Sequence, residues 1–260
     1  MKPFRLTPAV LLLVLVASTT FADVTIKVTA SISGPMPFGD IPFVLYVKGM
    51  KMRSDHKWSD TDRSILIDVA AKKTVWIDHM SKEVSVAPPD EPLNFYAVAR
   101  GLQCPSCQST ASIKPNGHTK EVLGTTCNGF DVTVNQTMTI KGVTVVTSGR
   151  KTKELAMITS GPAWVEKEGT GIAEYRAFPQ AASAAGLLVW PVGWGDPVGL
   201  GAEAKGIIEM QKALAEVGVP LLQEWKSRLD GTTVTMRVTE ISADPIPDDT
   251  FAVPAGYTKK

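Results

Sequence analysis

Val24-Thr25-Ile26-Lys27-Val28-Thr29-Ala30-Ser31-Ile32 alternates apolar and polar residues without a break. Side chains of an extended chain point to opposite faces in turn, so this stretch is a strand with one face in a core and one in water. Such one-sided strands belong to antiparallel sheets. The period returns at Phe130, Val132, Val134, Met138 and Ile140, with Asp131, Thr133, Asn135, Thr137 and Thr139 between them.

Working outward, a Gly/Pro-rich link over 34–42 leads to a strand Phe43–Val47, a turn near Lys48 and Gly49, and a second strand through Met50, Met52 and Arg53. Ile65–Val69, Thr74–Asp78 and Glu83–Ala87 continue the rhythm across turns at Ala70–Lys73 and His79–Lys82. Short strands joined by tight turns make an antiparallel meander. Val143–Thr147 and Glu154–Ile158 read as further strands. The end of the chain reads as a hairpin, Leu221–Leu229 and Thr232–Ile241, about the strand-compatible turn Asp230-Gly231. Phe251, Val253 and Tyr257 suit a last short edge segment.

The non-β parts are a helix-compatible stretch Leu93–Leu102, followed by a cysteine pair and a polar loop, and the region Gly161–Pro220. The latter holds Ala-rich Ala173–Ala185 and a run with Ile207, Met210, Leu214 and Val217 at helical spacing. Between these, Leu187–Leu200 carries Trp190 and Trp194 among prolines and glycines, and reads as an apolar loop, packed down or serving as a lid. The expected class is α+β: a mostly antiparallel sheet, with helical cover around 92–102 and 169–218, in one domain over 23–260.

Residues 1–22 read as a cleavable export signal, with Lys2 and Arg5 ahead of an apolar run Ala9–Ala17 and small residues before Asp23. The run is too short to span a bilayer. The expected product is soluble and periplasmic or otherwise exported. The chain has 27 Lys+Arg against 26 Asp+Glu, and removing Lys2 and Arg5 leaves 25 against 26. A nearly neutral chain without a basic run offers nothing to drive nucleic-acid binding.

No nucleophile elbow, phosphate loop or dinucleotide fingerprint is present, so neither an enzyme site nor a cofactor is expected. His56, His79 and His118 read as residues of separate turns or loops and have no partner at helical spacing, so no metal site is expected. Cys104-Pro105-Ser106-Cys107 has the spacing of a thiol–disulfide redox motif, but no strand–helix unit precedes it. The bland alternative is a structural bridge, Cys104–Cys107 or one of them with Cys127.

Two motifs carry a family resemblance. The first is Tyr46-Val47-Lys48-Gly49-Met50-Lys51-Met52-Arg53-Ser54-Asp55, followed by Ile65–Asp68, Lys73–Asp78 and Lys82–Val84; the second is Phe251-Ala252-Val253-Pro254-Ala255-Gly256-Tyr257. With the strand order, they resemble an uncharacterised bacterial exported family related to the LolA-like periplasmic lipoprotein carriers. The resemblance implies a half-barrel whose concave face is covered by helices, with an apolar cavity between the layers. The guest it implies is an apolar lipid-like ligand or an acylated protein. Candidate cavity residues are Leu45, Met52, Ile67, Trp76, Val132, Trp225 and Met236; the alternative is that they pack as a filled core. A second functional reading is an envelope module that holds no ligand and recognises another protein, and a third is a thiol-redox protein using Cys104 and Cys107.

Overall fold

β1 (Val24–Ser33) forms where the alternation predicts it, and pairs along both edges: with β2 (Gly39–Lys48) on one side and β13 (Thr233–Ser242) on the other. The computed structural model describes residues 23–34, 39–58, 61–87, 108–139, 145–147, 150–152, 154–169, 171–187, 212–227 and 231–260. From β2 the sheet runs through β3 (Lys51–Trp58), β4 (Thr61–Asp68), β5 (Lys73–Asp78) and β6 (Glu83–Ala87), each antiparallel to the one before. From β13 it runs through β12 (Val219–Ser227), β11 (Glu154–Glu166) and β8 (Thr125–Thr139) to β7 (Gln108–Val122). β14 (Thr258–Lys259) adds to the free side of β6 in parallel. The result is a 12-stranded sheet with edges at β14 and β7, unclosed and almost wholly antiparallel. β9 (Val145–Thr147) and β10 (Arg150–Thr152) form a separate ribbon.

The register assigns the core to one face. Val24, Ile26 and Val28 of β1 lie across from Val47, Leu45 and Phe43 of β2, Met52 of β3 pairs with both Val47 and Ile67, and all are buried. Helix α1 (Ile172–Ala184) contributes Ile172, Tyr175, Phe178 and Ala182 to the same cluster. A second cluster, Val132, Val134, Ala163, Val165, Trp225 and Val234, takes in Leu214 from a helical segment over 212–217. Met236 packs against both clusters.

Several expectations are corrected. The polar stretch after the cysteines is the long strand β7, an edge strand exposed on both faces over much of its length, so burial writes no period into it. β2 begins at Gly39, inside the anticipated link, and β11 continues through Glu166 into the region read as non-β. His56 and His118 sit within β3 and β7 and not in loops. The Ala-rich segment is α1, and the neighbouring amphipathic run is helical over 212–217. The signal, Leu93–Leu102, the loop with Trp190 and Trp194, and Asp230 lie outside the described residues.

Among the described glycines, Gly161 leaves the least room: a Cβ there would run into the carbonyl oxygen of Glu224 on β12. Backbone cannot yield as a side-chain tip can. Gly161→Ala is expected to cost about 2 kcal/mol or more, in the range of overpacking mutations. A urea-unfolding midpoint that stays at the wild-type value would contradict the close β11–β12 pairing.

Candidate functional site

Leu45, Met52, Ile67 and Trp76 come from β2, β3, β4 and β5, and the pairings Val47–Met52–Ile67 and Leu45–Ser54–Ile65–Trp76 bring them to the face covered by α1. Val132, Trp225 and Met236 lie farther along that face, in or against the second cluster. The candidate residues therefore form one apolar floor across two meanders. Among the described residues, a cavity of about 20 Å³ stands over part of it, and Leu45, Met236 and Tyr175 contribute to its lining. That volume holds about one water molecule and no acyl chain.

The cover is held sideways. Arg176 Nε and Gln180 Nε2 of α1 donate to the carbonyl of Ala215, at 2.7 and 3.0 Å, and so satisfy the end of the neighbouring helical segment. Contact of Ile172, Tyr175, Phe178 and Ala182 with the sheet is apolar. Gly171 caps α1 at φ 77°, packed so tightly on Ile241 and Val24 that a Cβ would meet them at 3.0 and 3.2 Å. Pro179 removes the N–H that would bond the carbonyl of Tyr175. Burial pushes the Tyr175 phenol well above its usual range.

On the opposite face the C-terminal segment straps the sheet. Lys48 Nζ donates to the carbonyl of Ile246 at 2.7 Å, and Arg53 Nη1 donates to that of Thr250 at 3.0 Å. Beneath it, Ser64 Oγ lies 2.6 Å from Asp55 Oδ1, 2.6 Å from His79 Nε2 and 3.1 Å from Arg53 Nη2, while His79 Nδ1 meets the Tyr257 hydroxyl at 2.8 Å. The Ser–His contact invites a nucleophile reading, but the proton order argues otherwise. The single Ser64 proton goes to the better acceptor, the Asp55 carboxylate, so His79 Nε2–H donates to Ser64 and Nδ1 accepts from Tyr257. Ser64 is also 1 % exposed. The group is a fastening, buried at Ser64 and part-buried at its partners. Sequence reasoning missed it because these residues are scattered along the chain with no motif spacing; cross-strand pairing of Asp55 with Ser64 would have been the signal.

Beside this fastening, Pro42, Val44, Arg53, Asp55, Lys57 and Asp62 border an open groove of about 420 Å³ that His56 also lines. Burial, and then the Arg63 charge paired across from it, pull His56 down to about 4; Asp55 and Asp62 oppose this and His79 adds to it. Cys127 is a free, buried thiol on β8, pushed up to about 11 by burial, so it is inert and does not form the bridge considered for it. Cys104 and Cys107 lie outside the described residues. Among the described residues no set of three His, Cys, Asp or Glu side chains could hold a metal ion, and no helix is long and apolar enough to cross a membrane.

Two outcomes follow from the polar groups. Removing the Ser64 hydroxyl strands its partners, and Ser64→Ala is expected to cost about 2 kcal/mol. Hydrogen exchange should quicken in 246–260; unchanged exchange there would refute the fastening role. Between about pH 6.5 and pH 4 the unfolded chain protonates His56 while the folded protein holds it neutral. The unfolded state then binds more protons, and stability falls as pH drops through that window, by up to about 3 kcal/mol. His56→Gln should flatten that slope in denaturant titrations, and an unaltered slope would assign it to other groups.

No protein-family model matches the chain, and no curated protein matches it. Among solved structures, an uncharacterized conserved protein from Thermus thermophilus is similar at 7% identity and TM-score 0.43, covering 92% of this chain and 90% of that one. A domain named for outer membrane lipoprotein sorting, from Vibrio parahaemolyticus, is similar at 6% identity and TM-score 0.36, covering 89% and 90%. A DUF1329 family protein from Desulfovibrio piger is similar at 10% identity and TM-score 0.34, covering 90% of each chain.

Proposed function

We propose that the chain is an exported, non-catalytic binding protein that takes an apolar ligand, a lipid or an acylated polypeptide, between the sheet and its helical cover. In this reading the sheet curls into a trough and the face beneath α1 is concave. The observation that carries it is the cover itself: α1 meets the apolar floor through Ile172, Tyr175, Phe178 and Ala182, while Arg176 and Gln180 spend their hydrogen bonds on the neighbouring helical segment. An interface made through these four apolar side chains can part and re-form on a guest. Each buried methylene of an acyl chain contributes about 0.8 kcal/mol, so a chain seated on Leu45, Met52 and Ile67 replaces what α1 gives up. The cavity bordered by Leu45 and Tyr175, about 20 Å³, admits no acyl chain, so a guest seated there requires α1 to lift.

The packing of Ile172, Tyr175, Phe178 and Ala182 into the buried cluster favours a second reading, in which the cover stays shut and the protein is an envelope module recognising another protein. Solvent extraction of the purified protein followed by mass spectrometry, and titration with a fluorescent fatty acid, separate the two. The ligand reading expects co-purified lipid or saturable uptake, with stability raised by about 2.7 kcal/mol at a probe concentration of 100 Kd. Neither lipid nor uptake would overturn it in favour of the second.

A further inference from the structure

Three hydroxyls are buried where a sealed apolar core has no use for them. Ser54, Thr74 and Tyr175 are 0 %, 6 % and 1 % exposed, and their oxygens are buried without a hydrogen-bond partner. Ser54 stands on β3 between Leu45 and Ile65, and Thr74 on β5 lies across from Ile67, on the face that α1 covers. Tyr175 descends from α1 and borders the same small cavity as Leu45. A buried hydroxyl left unpaired is worse than the apolar residue of the same shape, so alanine, valine and phenylalanine would serve a permanently closed core better.

We propose that these hydroxyls receive uncharged hydrogen-bonding groups of the guest, the ester or amide carbonyls of an acyl chain, with separate carbonyls at Ser54 and at Thr74, since the register sets the two residues two strands and two positions apart. This deepens the ligand reading given above and rests on it. The exclusion of charge comes from the surroundings. No charged side chain is among the buried residues described. Of the ionic groups on the first half of α1, Glu174 has the sign of a fatty-acid carboxylate, and Arg176 is committed to the carbonyls of Ala215 and Glu216. An ionised carboxylate or phosphate would therefore be buried unpaired, at a large desolvation cost. A bare hydrocarbon would leave the hydroxyls as they are. A carbonyl accepts from them and brings no charge.

The test is competition against a fluorescent acyl probe at neutral pH, using an alkane, the methyl ester and the ionised fatty acid of equal chain length. It is run on the wild-type chain and on the double variant Ser54→Ala, Thr74→Val. On the wild-type protein the ester should compete about three- to tenfold more strongly than the alkane, as one or two net hydrogen bonds allow, and the acid should do no better than the alkane. The double variant should lose the preference for the ester, keep the alkane affinity and melt no lower than wild type. Equal competition by ester and alkane, an acid that binds tightest, or a preference surviving in the variant would each overturn the proposal while leaving the ligand reading in place. If neither the probe nor any competitor binds, the ligand reading fails and takes this proposal with it.

Discussion

Everything in this fold depends on β1 being able to pair along both of its edges. The strand joins a meander that follows it, β2 to β6, to a set of strands far away in sequence, β13 through β7. Its alternation makes this possible: Val24, Ile26 and Val28 all enter the one buried face, whereas Thr25, Lys27 and Thr29 leave it, so both neighbours inherit the same orientation. A slip by one residue would send the apolar set of β1 to the wrong side of both halves. The irregularity between Lys27 and Val28 in the pairing with β13 resets the register without reversing the faces around it, since Ile26 opposes Ile241 and Val28 opposes Val238.

From that constraint the two sides of the sheet acquire different tasks. One carries the continuous apolar floor and is covered by α1 and the helical segment over 212–217. Over β4 to β6 the other side buries Leu66, Val75, Ile77 and Val84 against Tyr257, and its strap is pinned by groups on β2, β3 and the β5–β6 turn. The two motifs that carry the family resemblance are thereby explained as partners in space. Lys48 and Arg53 of the first hold the backbone leading into the second, and Tyr257 of the second closes the network on His79, Ser64 and Asp55. Their side chains serve the architecture of the covered back face.

Legibility in the sequence followed burial. Strands with one face in the core, β1, β6 and β13, could be read close to their observed limits, because burial on alternate residues imposes a period. β7 could not, since exposure on both faces lets most of Gln108–Val122 be polar, with Ile113 and Val122 too far apart to show a period, and its hairpin turns at Leu123-Gly124, a less familiar pair than Asn-Gly. The floor residues were legible one by one as apolar strand positions, but whether a cavity stands over them depends on how far α1 descends, which no periodicity encodes. The unpaired hydroxyls were equally hidden. Ser54 and Thr74 are ordinary strand residues until a register places them among Leu45, Ile65 and Ile67.

Close packing of α1 on the floor and a binding role are compatible when the filler can be exchanged. Core packing that is interlocked by hydrogen bonds, like the network about Ser64, resists opening because each broken bond strands a buried donor or acceptor. The contact between α1 and the floor differs: parting it exposes apolar surface, and an entering chain covers that surface again. The barrier to opening is set by transient exposure of apolar area, while the end states differ only by the guest's own burial and by the hydroxyls it satisfies. On the ligand reading, the apolar floor stays out of water in the empty protein, and Ser54 and Thr74 gain partners only when a guest is seated.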